Sequence, residues 1–163
     1  MTAGGIDPGA HVGHVHLKVA NLERSIAWYR SALGLDLMQR FGDSAAFLSA
    51  GGYHHHVGLN TWFSAGAPPA QQRGVGLFHL ALIYPTRPAL ATAVARVLNQ
   101  GTELTGAADH GVSEAVYLDD PDGNGVELYW DRPREEWPRP SGGEGVEMFT
   151  APLDLGALLG LAR

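Results

Sequence analysis

The sequence predicts an α+β fold: two βαβββ modules whose strands form a half-open, barrel-like sheet around a cleft. Three observations point there. A strictly alternating segment runs straight into one of helical period. The same pair recurs 65 residues later, from His14 to His79, as a degenerate internal duplication. Strand parity in both copies turns aliphatic residues to one face and histidines to the other.

The first module spans residues 11–63. Gly13-His-Val-His-Leu-Lys-Val19 alternates, with Val15, Leu17 and Val19 on one face and His14, His16 and Lys18 on the other. Asn21 reads as an N-cap, and Leu22, Ile26, Tyr29 and Leu33 share one helix face before Gly34 ends it. Strands are expected at Leu35–Phe41, Ser44–Ala50 and His55–Phe63, joined by Gly42-Asp43 and Gly51-Gly52. Residues 64–76, rich in Pro, Gln and Gly, read as a linker.

The second module spans residues 77–131. Leu77–Tyr84 is its first strand, and Pro88–Asn99 is a helix with Leu90, Val94, Val97 and Leu98 apolar, stopped at Gly101. Strands follow near Glu103–Thr105, Glu114–Leu118 and Gly125–Trp130, with Asp119-Asp-Pro-Asp-Gly-Asn124 as a turn. The tail, 132–163, begins Pro- and charge-rich. It ends in an apolar Leu153–Leu161 segment expected to form a short helix over an edge or one side of the cleft.

Composition narrows the function. The chain has 163 residues, 45% hydrophobic and 17% charged, so it is globular. A net charge of −6, with ten scattered Arg and one Lys, argues against nucleic-acid or anionic-membrane partners. No segment suits a membrane span, and Met1–Gly13 lacks the pattern of a signal peptide, so a cytoplasmic protein is expected. Zero Cys removes disulfides, thiolate metal sites and a cysteine nucleophile. Against this stand eight His, nearly as many as Lys and Arg together.

Parity says where the histidines point. His14 and His79 occupy equivalent repeat positions on the open sheet face. Val126, Leu128 and Trp130 turn Glu127 to that same face, and Val116 and Leu118 do so for Tyr117. A lone sheet histidine is usually a satisfied polar residue. Two imidazoles and a carboxylate at matching positions instead suit a facial triad, with metal positions left open for substrate and oxygen. In Tyr53-His-His-His-Val-Gly-Leu-Asn-Thr-Trp62, parity from Val57 and Leu59 sends His56, Asn60 and Trp62 toward the cleft as candidate substrate-binding residues. Trp62, Phe78 and Trp130 are candidate pocket walls, whereas His11 and Arg24 read as solvated or structural.

The opening run from Gly13 through Asn21-Leu-Glu-Arg-Ser-Ile, Trp28-Tyr-Arg and Leu33-Gly-Leu35 resembles the vicinal oxygen chelate superfamily. That superfamily holds glyoxalase I, bleomycin-resistance proteins and type I extradiol dioxygenases. Four features resemble the catechol 2,3-dioxygenases in particular: His54-His-His-Val-Gly-Leu-Asn-Thr-Trp62, His110-Gly-Val-Ser, Tyr117 ten residues before Glu127, and Asp120-Pro-Asp-Gly-Asn-Gly-Val-Glu127. The similarity covers residues 11–131 and implies an Fe(II) extradiol dioxygenase, with Mn(II) as a substitute metal, cleaving a catechol with O2. It implies His14, His79 and Glu127 as metal ligands, and His110 and Tyr117 beside oxygen and substrate. The acid–base histidine maps onto His55 by ungapped alignment and is assigned there, with His56, which parity favours, as the near rival. Glyoxalase I fits less well, because its extra carboxylate ligand would fall near Val57. The rivals are a metal-free small-molecule binding or resistance protein and a glyoxalase-like lyase. Which catechol is used stays open (L-DOPA is one candidate), as does the choice between one chain and a homo-oligomer.

Overall fold

The computed structural model describes residues 5–70 and 74–163. Residues 71–73 of the expected linker and 1–4 of the amino-terminal segment lie outside the described residues. Two four-stranded units of identical order appear. The first sheet runs β1 (Val15–Lys18), β4 (Val57–Asn60), β3 (Ala45–Ser49), β2 (Asp36–Phe41). The second runs β5 (Leu80–Ile83), β8 (Gly125–Asp131), β7 (Ser113–Asp119), β6 (Leu104–Asp109), with β9 (Ala151–Pro152) added outside β6. In each unit the first strand pairs in parallel with the last, Val15 opposite Val57 and Leu80 opposite Val126. Even the bulge is repeated, between Leu37 and Gln39 in β2 and between Leu104 and Gly106 in β6. The architecture is α+β, and the two sheets are not closed into a barrel.

Each sheet carries one crossover helix. In α1 (Leu22–Ser31), the Asn21 side chain accepts from the Arg24 amide, satisfying a first-turn donor, and Leu22, Ile26 and Tyr29 are buried. Helix α2 (Arg87–Asn99) is capped by Thr86 and buries Leu90, Ala91, Ala93, Val94 and Val97. Leu98, expected on that face, is exposed; it sits about 100° round the helix from Val97 and off the buried stripe. The inner faces of both sheets and both helices share one core, from Leu17, Leu48 and Leu59 to Leu80, Val116 and Leu128.

Strand boundaries differ where side chains compete with the ladder. The expected His55–Phe63 strand shrinks to Val57–Asn60. Past its end, the Ser64 amide bonds the Thr61 carbonyl at 3.3 Å and the Ser64 hydroxyl bonds Val19 O at 3.0 Å, closing a turn. The expected Leu77–Tyr84 strand shortens to Leu80–Ile83, and Leu77 and Phe78 lie exposed. Conversely, the strand expected at Glu103–Thr105 runs on to Asp109. The tail supplies β9 to the β6 edge, and α3 (Leu155–Leu159) packs on α2 with Leu158 buried.

The acidic turn does more than reverse the chain. Asp120 accepts from the amides of Asp122 at 2.8 Å and Asn124 at 2.9 Å, holding the turn closed, and from the Tyr29 hydroxyl at 3.0 Å. Asp122 accepts from the Ser25 hydroxyl at 3.1 Å and the Ala20 amide at 3.2 Å, and pairs with Arg24. Both carboxylates are buried, so these partners offset their desolvation. Burial first, and then the charge of Asp120, holds the Tyr29 phenol well above its ordinary range. Helix α1 of the first module is thereby tied to the second.

Candidate functional site

On the second sheet, four of the predicted residues form one hydrogen-bonded chain. Register places Tyr117 opposite Glu127 and Glu127 opposite Ala81, all on the face away from the core, with His79 two residues before Ala81 on the same face. His79 Nε2 lies 3.0 Å from Glu127 Oε2. Tyr117 Oη lies 3.0 Å from Glu127 Oε1 and 2.7 Å from His110 Nε2. His110 Nδ1 reaches the Phe149 carbonyl at 2.9 Å, so the tail holds the far end of the chain. That carbonyl can only accept, which puts a proton on Nδ1. A neutral His110 then takes the Tyr117 hydrogen bond on Nε2, while an imidazolium leaves the hydroxyl free to donate to Glu127. Burial, followed by the Glu127 charge and hydrogen bond, pushes the Tyr117 phenol up to about 12, so it stays protonated and able to donate.

Glycine shapes this corner. A Cβ at Gly125 would stand 2.3 Å from the Phe78 carbonyl and 3.1 Å from His79 Cβ. Only a residue without a side chain lets β8 approach the start of β5 this closely. A cavity of about 570 Å³ opens there, with Leu77, Phe78, His79, Gly106 and Tyr117 among its lining residues. That is within the size range of small-molecule sites.

The first sheet presents a different face. His14 is exposed and packs on His55, ring centroids 4.4 Å apart; His55 also meets Phe47 edge-on at 5.0 Å. His54 and His55 approach through their Nδ1 atoms at 2.7 Å. His16 lies over Gly58, where a Cβ would be 2.9 Å from its ring, and 5.5 Å from Trp62. Burial first, then the neighbouring histidines led by His14, lowers the pKa of His55. His56 turns to the β3 end, its Nδ1 2.9 Å from the Ser49 hydroxyl, and stacks near Tyr53. Thus His55, not His56, stands beside His14. Asn60 is buried and accepts from the Trp62 amide at 3.2 Å; Trp62 donates to Ser44 Oγ at 3.2 Å and keeps one face in solvent.

The structure therefore joins His79, Glu127, Tyr117 and His110, and separately His14 and His55. It does not bring His14 to the Glu127 pair. Among the described residues, no three His, Asp or Glu side chains converge on one ion position. Two features escaped the sequence reading: the Phe149 carbonyl, which no local pattern marks, and the ion-paired Glu114. Glu114 is buried and held by Arg87 at 2.7 Å and Arg132 at 3.0 Å. Its alternation within β7 was the available signal. Trp130 packs against the core, whereas Phe78 lines the cavity.

Comparison with known proteins agrees with this scaffold. Residues 11–128 match the family model described as the Glyoxalase/Bleomycin resistance protein/Dioxygenase superfamily. The chain is 39% identical over 154 residues to a catechol-2,3-dioxygenase of Bacillus subtilis, covering 94% of this chain and 53% of that protein. It is 32% identical over 120 residues to a biphenyl-2,3-diol 1,2-dioxygenase of Rhodococcus globerulus, covering 74% and 63%. It thus spans between about half and two thirds of these relatives' lengths. Among solved structures, a glyoxalase/dioxygenase from Nostoc punctiforme superposes with a TM-score of 0.63 at 19% identity, over 82% of this chain and all of that one. A lactoylglutathione lyase from Agrobacterium tumefaciens gives 0.59 at 19% identity, over 76% and 96%. At such identities the two structures support the fold alone.

Proposed function

The chain belongs to the Glyoxalase/Bleomycin resistance protein/Dioxygenase superfamily, and from that premise we propose that it is an extradiol dioxygenase, opening a catechol ring beside its two hydroxyls with O2. The observation that carries the reading is the pairing of His79 with Glu127 at 3.0 Å, linked through Tyr117 to His110 on an open sheet face. Donors about 2.1 Å from one ion in neighbouring octahedral positions stand about 3.0 Å apart, a spacing this pair has and a direct hydrogen bond between the two side chains has as well. The proposed ion is Fe(II), with Mn(II) as substitute, held by His79, Glu127 and His14. When bound, it would supply a positive centre for the two catechol oxygens and an electron route to O2.

One chain taken singly does not fit that set. Among the described residues, two of the three donors are in reach of each other, while His14 lies on the other sheet. In this reading the second sheet's own residues take distinct roles. Glu127 contributes negative charge in a poorly solvated corner. Tyr117 presents a protonated hydroxyl able to donate to a substrate oxygen, and His110 holds that hydroxyl from behind through its Nε2. In this reading His55 is the acid–base residue nearest the substrate and exposed Trp62 offers binding surface from the first sheet, while His56, held by Ser49, and buried Asn60, which accepts from the Trp62 amide, help position that part of the sheet. The relatives' printed substrates make catechol and biphenyl-2,3-diol the first compounds to try, with L-DOPA as a third.

The test is anaerobic loading with Fe(II), then addition of each diol and air. Oxygen uptake matched by a yellow ring-fission product is expected. Tight Fe(II) binding with no oxygen uptake on any diol would overturn the assignment.

A further inference from the structure

His110 lies in the turn between β6 and β7, so sheet register alone does not fix its ring. The turn is tight: the His110 amide donates to the Ser113 carbonyl at 2.9 Å, and Gly111 takes a φ of +77°. At its base Asp109 stands directly opposite Glu114 in the β6–β7 register. Two like charges so placed repel and would push the base of the turn apart. One guanidinium prevents this. Arg132 Nη2 donates to Asp109 Oδ2 at 2.7 Å and to Glu114 Oε1 at 3.0 Å. The Arg132 backbone grips as well, its amide donating to the Val112 carbonyl at 2.8 Å and its carbonyl accepting from the Trp137 indole at 2.8 Å. The second Asp109 oxygen accepts from the Gly111 amide at 2.8 Å. His110 is thus flanked on both sides by residues fastened to one carboxylate, and that carboxylate is fastened to Arg132.

We propose that Arg132 is a positioning residue: through Asp109 and Glu114 it sets the turn so that His110 Nε2 meets the Tyr117 hydroxyl and Nδ1 keeps its proton on the Phe149 carbonyl. Its effect on turnover rests on the dioxygenase reading above; its effect on His110 does not. The 2.7 Å contact with Tyr117 leaves little slack, because a shift of about 1 Å takes the pair beyond hydrogen-bond distance. The tail presses on the same turn, since a Cβ at Gly111 would stand 2.5 Å from the Phe149 ring and 2.9 Å from Pro138. Nor is this an ordinary surface pair: the Arg132 side chain is 24% exposed and that of Glu114 5%. Arg87 holds the other Glu114 oxygen at 2.7 Å, so Glu114 keeps a cation when Arg132 is replaced, whereas Asp109 loses its guanidinium.

The test watches His110 itself. In metal-free protein at about pH 8, above the ordinary histidine range, imidazole 15N spectra should show wild-type His110 protonated on Nδ1. Arg132→Met should turn that signal into a mixture of both tautomers while thermal unfolding stays cooperative. Because one nitrogen serves both carboxylates, Arg132→Lys should restore most of the wild-type signal. Asp109→Asn, which keeps an acceptor for the Gly111 amide, should move His110 the same way, and it decides alone if Arg132→Met does not fold. On Fe(II)-loaded protein, Arg132→Met should lower kcat by about tenfold to a hundredfold, with KM for the diol and metal content within about twofold. A folded variant whose His110 spectrum matches wild type overturns the inference, as does a kcat loss explained by lost metal. A wild type that cleaves no diol, with His110 displaced in the variants, keeps the brace and removes only the dioxygenase reading. An active wild type with His110 unmoved does the reverse.

Discussion

The two sheets are copies in backbone and opposites in chemistry. Both have the same strand order, the same parallel first-to-last pairing and the same bulge. Yet the outer face of the first carries imidazoles packed at a tilt against one another, while that of the second strings His79, Glu127, Tyr117 and His110 into one hydrogen-bonded line. The inner faces diverge little because any aliphatic set that fills the shared core will serve. The outer faces do not contribute to that core, so each can specialise.

Substitutions that erase this contrast should have the largest effects. Glu127→Ala leaves the second face with bases alone, like the first, and its metal affinity should drop by more than about a hundredfold, beyond the loss typical of a supporting residue. Metal analysis after dialysis reads that loss. Next is the tie between the modules. Asp122→Ala strips Ser25, Ala20 and Arg24 of a common buried acceptor and should cost about 3 kcal/mol in urea unfolding. Gly125→Ala pushes a methyl into the Phe78 carbonyl and should cost about 2 kcal/mol while also shifting His79, visible as weakened metal binding. The smallest effect is expected for Tyr29→Phe, which loses a single hydrogen bond to Asp120 and should destabilise by about 1 kcal/mol with metal binding unchanged. A Tyr29→Phe protein that lost its metal would show that the turn, and not the strand register, positions Glu127.

Much of this was legible in the residues because the relevant signals are local. Alternation in Val15–Val19 and in Val126–Trp130 assigns faces directly, since successive strand residues point to opposite sides. Asn21 and Thr86 announce the helix starts through their capping oxygens. Less legible was the rivalry between His55 and His56. Both precede β4, so strand parity does not govern them, and the ring contacts with His14 and Phe47 separate the two. The acidic turn was recognised only as a turn. That its two carboxylates are buried anchors for α1 depends on contacts 91 and 97 residues apart in the chain.

The sequence by itself therefore determined the modules, their duplication and which face of each strand is polar, because period and capping are properties of a few neighbouring residues. Only the tertiary structure decided how the two modules meet. That choice rests on long-range contacts through α1 and the Asp120–Asn124 turn, which no local period encodes. It directs the outer faces apart and leaves His14 on one side, His79 and Glu127 on the other.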